Sequence, residues 1–233
     1  ANILQFMEDD FLFTKSFFNN HLHQRGTAPK DKLTFAIHHR NSVANNWRYL
    51  SCPLHGITIY PDNNELQSVA MPGMHKFTLS FEEEFLETVS ENIGLPNLKA
   101  YITKGRIALC EPDQIEYLQR YLILLTHYLI DTKISGDIPQ LSTEFKQEVA
   151  SILLITLSTS SYDLSNTKHL GRARTFDRLM NHVNLNFAEL PSISELCSIA
   201  GLTERNLKNL FYETFQVCPE DYFKCYRDYI LRR

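Results

Sequence analysis

The chain has 233 residues, 43% hydrophobic and 21% charged, with a formal net charge of −4. Those values describe a globular protein and exclude a disordered or fibrous one. No apolar run reaches the roughly 18 residues that a membrane helix needs, and the longest candidate, Tyr121 to Ile130, is interrupted by Thr126 and His127. The segment from Ala1 to Asp10 has no basic stretch and turns acidic at Glu8-Asp9-Asp10, so no secretory signal and no membrane partner are expected; the missing initiator Met points to a trimmed chain. Five cysteines, Cys52, Cys110, Cys197, Cys218 and Cys225, are odd in number and lack CxxC spacing, and are expected as reduced thiols in a cytoplasmic protein.

The first third reads as strands. Leu33, Phe35 and Ile37 alternate with Thr34, Ala36 and His38 at a period of two. Trp47 to Leu50 follows an Asn45-Asn46 turn, Gly56 to Tyr60 ends at the turn Pro61 to Asn64, and Lys76 to Leu79 follows Pro72-Gly73. Short strands with frequent turns predict a small barrel or sandwich over about residues 1–80. Its candidate pocket lining is Phe35, Ile37 and His39, Trp47 and Tyr49, His55, Ile57 and Ile59, and His75 with Phe77. His39, Trp47 and Tyr49 are the ligand-binding candidates, since His39 continues the face of Phe35 and Ile37.

The pattern then becomes helical, over about residues 81–157. Ser80-Phe81-Glu82-Glu83 has the capping-box pattern, opening a helix to about Asn92 with Gly94 as its stop. Pro112 suits the first position of a second helix. There Ile115, Leu118, Leu122, Leu125 and Leu129 recur at spacings of 3 and 4, a seam that either faces its own core or joins two copies as a dimerisation surface. A third helix is expected from Thr143 to about Leu157. The polar stretch 158–175 reads as a linker. Charge divides around it: residues 1–170 hold 14 Lys+Arg against 19 Asp+Glu, and residues 171–233 hold 9 against 8. The mild overall acidity therefore averages two unlike halves.

The most specific segment is Pro191 to Tyr222. Ser192-Ile193-Ser194-Glu195 is a capping box, and its helix buries Ile193, Leu196, Cys197 and Ala200. Gly201 suits the left-handed turn that follows, and Thr203 can cap a new helix. That helix turns Leu207, Leu210 and Phe211 inward and Glu204, Arg205, Asn206, Lys208, Asn209 and Tyr212 outward. Two short helices about a Gly turn, with an amide- and Arg-bearing outer face on the second, predict a helix-turn-helix.

At these residues the chain resembles the AraC/XylS family of bacterial transcription regulators. The resemblance runs from Phe176 to Arg233 through Ile193–Leu196, Ala200-Gly201-Leu202-Thr203, Leu207 with Leu210-Phe211, and Pro219 with Tyr222 and Arg227. Residues 1–157 resemble the sensor half of such regulators more weakly. The resemblance implies an α+β chain: a small cupin-like β-barrel followed by helices that mediate dimerisation, then an all-α helix-turn-helix unit over 176–233. It implies a regulator, not an enzyme, with double-stranded DNA, a small-molecule effector, a second copy of the chain and RNA polymerase as partners. Arg205, Asn206 and Asn209 would reach base edges, while Thr203 and Lys208 would hold phosphates. The family usually has Ala where Cys197 stands, a basic residue where Asn209 stands, and Gly where Gln216 stands. A Gln in the left-handed conformation there costs about 1 kcal/mol. The family also carries a second helix-turn-helix, which is expected to be missing after the linking helix at Pro219 to Arg233. A chain with one motif could instead dimerise with longer partners and titrate them.

No cofactor or metal is expected. His21-Leu22-His23 has a cupin-like spacing but lacks the accompanying Glu, and His38-His39 point to opposite strand faces. No G-x-S-x-G, phosphate-binding or dinucleotide motif occurs. Glu82-Glu83-Glu84 suits the positive end of a helix dipole better than catalysis.

Overall fold

Alternation along the strands sorts the first half of the chain into two faces. The computed structural model describes residues 1–20, 22–43, 45–47, 50–60, 65–95, 97–103, 107–137, 139–162, 167–186 and 191–231. The strands are β1 (Asn2–Met7), β2 (Phe11–Phe18), β3 (Leu22–Thr27), β4 (Lys32–His38), β5 (Asn45–Trp47), β6 (Leu50–Cys52), β7 (Gly56–Ile59), β8 (Glu65–Ala70), β9 (Met74–Glu82), β10 (Ile107–Leu109) and β11 (Ser161–Tyr162). They form a seven-stranded sheet in the order β1-β2-β9-β4-β7-β10-β11 and a four-stranded sheet in the order β3-β8-β5-β6. Every pairing in the larger sheet is antiparallel. With the helices below, the chain is α+β. It divides into two units, one comprising Ala1–Trp47 and Ser51–Asp163, the other running over Leu164–Arg233.

In the first unit, one face of the larger sheet carries Phe11, Phe13, Phe35, Ile37, Ile57, Ile59, Phe77, Leu79 and Phe81, all fully buried. This face packs against α1 (Glu83–Asn92), α2 (Pro112–Ile134) and α3 (Thr143–Ser158), and sheet and helices share one apolar core. The opposite face is small and hydroxylated. Ser16, Thr34, Thr58 and Ser80 are buried there, and Thr34 Oγ1 and Ser80 Oγ are 2.9 Å apart. It looks toward the smaller sheet: Phe18, Met74 and Ala70 cluster across the gap, and Cys52 Sγ lies 3.5 Å from Thr58 Oγ1. The expected strand face of Phe35 and Ile37 is therefore real, but it is covered by helices and is not the lining between the sheets.

Local chemistry sets the helix ends. Pro112 opens α2, Ser142 Oγ accepts from Phe145 N–H at the start of α3, and Gly94 takes φ +75 after α1. The expected capping box at Ser80 does not form. Ser80 belongs to β9, where its hydroxyl meets Thr34, and Glu82 precedes α1 with no side-chain cap. Lys146 of α3 pairs with Glu8 at 2.5 Å and Asp10 at 2.8 Å, tying α3 to the turn between β1 and β2.

Ile115, Leu118, Leu122, Leu125 and Leu129 are at most 4% exposed and belong to the shared core. This corrects the dimerisation assignment: the seam is consumed within its own unit. The outward side of α2 carries Tyr117, Leu124 and Tyr128, each 46–65% exposed.

The second unit comprises α4 (Thr167–Leu185), α5 (Ile193–Ala200), α6 (Glu204–Phe215) and α7 (Pro219–Leu231). The start of α4 at Thr167 shortens the expected linker 158–175, whose second half is helical. The core of this unit is an aromatic knot. Phe176 lies 4.9 Å from Phe215 and 5.7 Å from Phe211, and Tyr222 lies 4.5 Å from Phe215 and 5.4 Å from Phe211, measured between ring centroids. Edge and tilted contacts at these distances match the ring quadrupoles.

Replacing Leu122 by Ala is expected to destabilise the chain by about 2–5 kcal/mol, whereas Leu124→Ala stays within about 0.5 kcal/mol. Urea unfolding checks both, and the Leu122→Ala loss is expected to be independent of protein concentration, as a core defect and not a broken dimer.

Candidate nucleic-acid interface

The helix-turn-helix is assembled from backbone chemistry outward. Ser192 Oγ accepts from Glu195 N–H, and the Glu195 carboxylate accepts from Ser192 N–H at 2.7 Å, completing the capping box of α5. Those hydrogen bonds hold the Glu195 carboxyl below its ordinary pKa. At the other end Gly201 takes φ +67 and ψ +34, Gly201 N–H donates to Ser198 O, and Leu202 N–H donates to Cys197 O. This is the αL termination that favours glycine. The Arg178 guanidinium of α4 donates to Ala200 O at 3.3 Å, holding the last turn of α5.

Thr203 then caps α6, its Oγ1 accepting from Asn206 N–H at 3.4 Å. Leu207, Leu210, Phe211, Thr214 and Phe215 are buried. Thr203, Glu204, Arg205, Asn206, Lys208, Asn209 and Tyr212 are exposed, so all five DNA-binding candidates lie on one solvent-facing element. Thr203 is committed to capping. Lys208 Nζ donates to Glu204 Oε1 at 2.6 Å, and that hydrogen bond raises the Lys208 pKa. A phosphate contact by Lys208 would exchange one anionic partner for another. Tyr212, 64% exposed, extends the polar face by one turn beyond Asn209. Helix α6 ends at Gln216 with φ +60 and ψ +23, so the glutamine does occupy the left-handed region.

The ligand-binding candidates separate. Trp47, 1% exposed, pairs in register with Ser68 and stacks on Tyr60 with ring centroids 6.1 Å apart. Tyr49 lies outside the described residues, as do the Pro61–Asn64 turn and His21. His39 does not line the space between the sheets. Its ring sits 4.7 Å from His75 and 5.5 Å from Phe77, on the side of the larger sheet that the helices cover, and Asn41 N–H donates to its Nδ1. The residue of β4 on the other face is His38, whose carbonyl accepts from Gln119 Nε2 of α2. Burial, then the charges of His75, Lys15 and Arg40, lower the His39 pKa to about 4; His75 is lowered by burial and Lys15. Sequence reasoning missed Lys76, one position beyond His75 and on the opposite face. Its signal was a charged residue at an inward position of the alternation. Among the described residues no group of three His, Cys, Asp or Glu side chains could hold a metal ion, all five cysteines are free thiols, and no helix is long and apolar enough to cross a membrane.

No family model and no curated protein matches this chain. Among solved structures it is similar to the AraC-like transcriptional activator CuxR, at 13% identity over 99% of this chain and 79% of that one, with a TM-score of 0.47. It is also similar to ToxT from Vibrio cholerae, at 13% identity over 92% of this chain and 98% of that one, with a TM-score of 0.34. A structure of ToxT bound to an unsaturated fatty acid scores 0.36 at 12% identity, over 93% of this chain and 95% of that one.

Three outcomes test the local assignments. Gln216→Gly is expected to stabilise the fold by about 1 kcal/mol, relieving the left-handed strain, and Ser192→Ala to cost about 1 kcal/mol; thermal unfolding reads both. His39 has a folded pKa below its unfolded value, so its contribution to stability is present above pH 6.5 and is lost as pH falls toward 4. Unfolding midpoints measured across that window should fall with acidification, and less steeply in His39→Phe.

Proposed function

We propose that this chain is a DNA-binding transcription regulator of the AraC/XylS type, not an enzyme. In this reading it works in the cytoplasm and is controlled by a small-molecule effector at its N-terminal unit. The observation that carries the reading is α6. A helix held by a capped partner helix and a Gly201 turn presents Arg205, Asn206 and Asn209 side by side to solvent. Arg and Asn are the side chains that pair bidentately with guanine and adenine edges in the major groove. In this reading those three read bases, while Lys208 and the α6 N-terminus at Thr203 hold phosphates. The aromatic knot beneath fixes the orientation of α6, and Arg178 fixes its partner helix.

One such motif reads few base pairs, and two copies on one duplex would read more. We place the homodimer contact on the outward stripe of α2, Tyr117, Tyr121, Leu124 and Tyr128, which recurs at spacings of 4, 3 and 4. Two α2 helices crossing antiparallel about Leu124 would bring the same stripe of each copy together, as a two-fold contact requires. Beside the stripe lies a groove of about 440 Å³ that Leu141 and Phe145 complete. The effector would bias the spacing of two recognition helices, and RNA polymerase would be the downstream partner.

Selection of binding sites from random duplexes by the full chain tests the reading. A defined consensus is expected, Arg205→Ala and Asn206→Ala should each relax it at specific positions by about 1–3 kcal/mol, and Lys208→Ala should weaken all sites alike. A chain that dimerises yet selects no sequence would overturn the regulator in favour of a pairing module. Leu124→Glu should yield monomers in sedimentation if the α2 face is the contact.

A further inference from the structure

The seven-stranded sheet ends on two unlike edges. One edge is β11, only 2 residues long. The other is β1, whose 6 residues, Asn-Ile-Leu-Gln-Phe-Met, include no charge, no Pro and no Gly. Charges, Pro, bulges and shortness are the devices that keep sheet edges from pairing. β1 has none of them, and its ladder with β2 runs unbroken from Asn2↔Phe17 to Met7↔Leu12. Glu8 N–H donates to Phe11 O at 2.9 Å, which makes Glu8 and Phe11 a hydrogen-bonded pair. Such pairs alternate along an antiparallel ladder, so Asn2, Leu4 and Phe6 commit their backbone groups to β2. The N–H and C=O groups of Ile3, Gln5 and Met7 point the other way, and among the described residues no strand lies on that side. Side chains divide with the same parity. Leu4 and Phe6 pack on the helix-covered core, whereas Ile3 and Met7 stand 62% and 74% exposed on the opposite face.

We propose that the outer edge of β1 pairs antiparallel with β1 of a second copy, about a two-fold axis through Gln5. The occupant follows from the symmetry of the strand itself. Only residues of the outward parity can exchange hydrogen bonds across the edge, and the register that employs all of them sets Gln5 opposite Gln5 and Ile3 opposite Met7. The same register sets Leu4 opposite Phe6. Apolar meets apolar on both faces, an amide meets an amide at the axis, and no like charges face one another within the strand. A slip of one residue is barred by the parity of the backbone groups, and a slip of two carries Ile3 or Met7 beyond the end of the partner strand. The contact is separate from the α2 stripe and smaller than a standard interface, so it is weak, with a Kd of about 10⁻⁴ M. A contact of that strength joins copies already held near one another, such as dimers on neighbouring stretches of one duplex. The pairing itself needs no DNA.

The test starts from the Leu124→Glu chain, so that the α2 face does not contribute, followed by sedimentation and amide NMR from about 10 µM to about 1 mM. Reversible association is expected near the top of that range. Amide exchange of Ile3, Gln5 and Met7 should slow as the copies associate, while that of Leu4 and Phe6, already bonded to β2, should not change. Adding Ile3→Lys with Met7→Lys sets like charges across the outer pairs and should weaken association about tenfold or more, whereas Ile3→Lys with Met7→Glu sets opposite charges there and should retain it. Both positions are exposed, so these variants are expected to keep the circular dichroism of the parent; should either lose it, the exchange pattern of the unsubstituted strand decides. No association at about 1 mM, association without protection of Ile3, Gln5 and Met7, or equal association of the two charge variants each overturns the proposal. Dimers of Leu124→Glu that persist at about 10 µM overturn the α2 contact instead, and the two charge variants still decide the β1 contact by the same comparison.

Discussion

The structure of the N-terminal unit depends on one constraint: the central strands must be buried on both faces by different neighbours. β9 shows it plainly. Phe77, Leu79 and Phe81 meet the helices, while Lys76, Thr78 and Ser80 take the opposite face, where Lys76 reaches Gln24 of the second sheet and Ser80 meets Thr34. Helices can cover large rings, because their side chains interdigitate with them at full density. The space between two sheets accepts smaller, hydroxyl-bearing residues that satisfy one another, as Thr34 and Ser80 do. The apolar content is thereby concentrated on the helical side, and the inter-sheet side is left polar enough to carry a lysine.

The helical unit answers a different problem. Short helices such as α5, with eight residues, are marginal alone and rely on caps and tertiary packing. The Ser192–Glu195 box, the Gly201 turn and the Thr203 cap fix where α5 and α6 begin and end. The rings of Phe176, Phe211, Phe215 and Tyr222 fix how they pack. Each cap costs one polar side chain, yet Asn206 and Arg205 remain outside, so the element that is most constrained still presents a reactive surface.

Legibility in the sequence followed the uniqueness of each local signal. The capping box at Ser192, the positive-φ Gly201 and the inward triplet Leu207, Leu210 and Phe211 are short-range features that no distant contact overrides. β4 and β7 were readable from alternation. β2 was not, because Phe11, Phe13, Phe17 and Phe18 occupy both parities in a strand covered on both sides. The same double coverage misplaced His39: alternation groups it with Phe35 and Ile37 but cannot say which face looks at helices. Ser80 carried a valid capping pattern, and the pairing of β9 with β4 claimed its hydroxyl first. The seam of α2 was visible as a spacing, and spacing alone does not distinguish a seam within one chain from a seam between two. Lys76 was overlooked because a lysine on a short strand ordinarily marks an exposed edge.

The burial of α2 along one side, from Ile115 to Leu129, also limits how that helix can move. A helix turns about 100° for each residue it slips along its axis. Any screw motion of α2 would therefore carry leucines out of the core and Leu124 or Tyr128 into it, breaking contacts with the sheet along about four turns at once. Rotation is thus closed to it as a means of conveying a signal. Whatever passes along α2 must travel as a tilt or shift of the whole rod together with the sheet face it grips, which makes the helix a strut and not a camshaft.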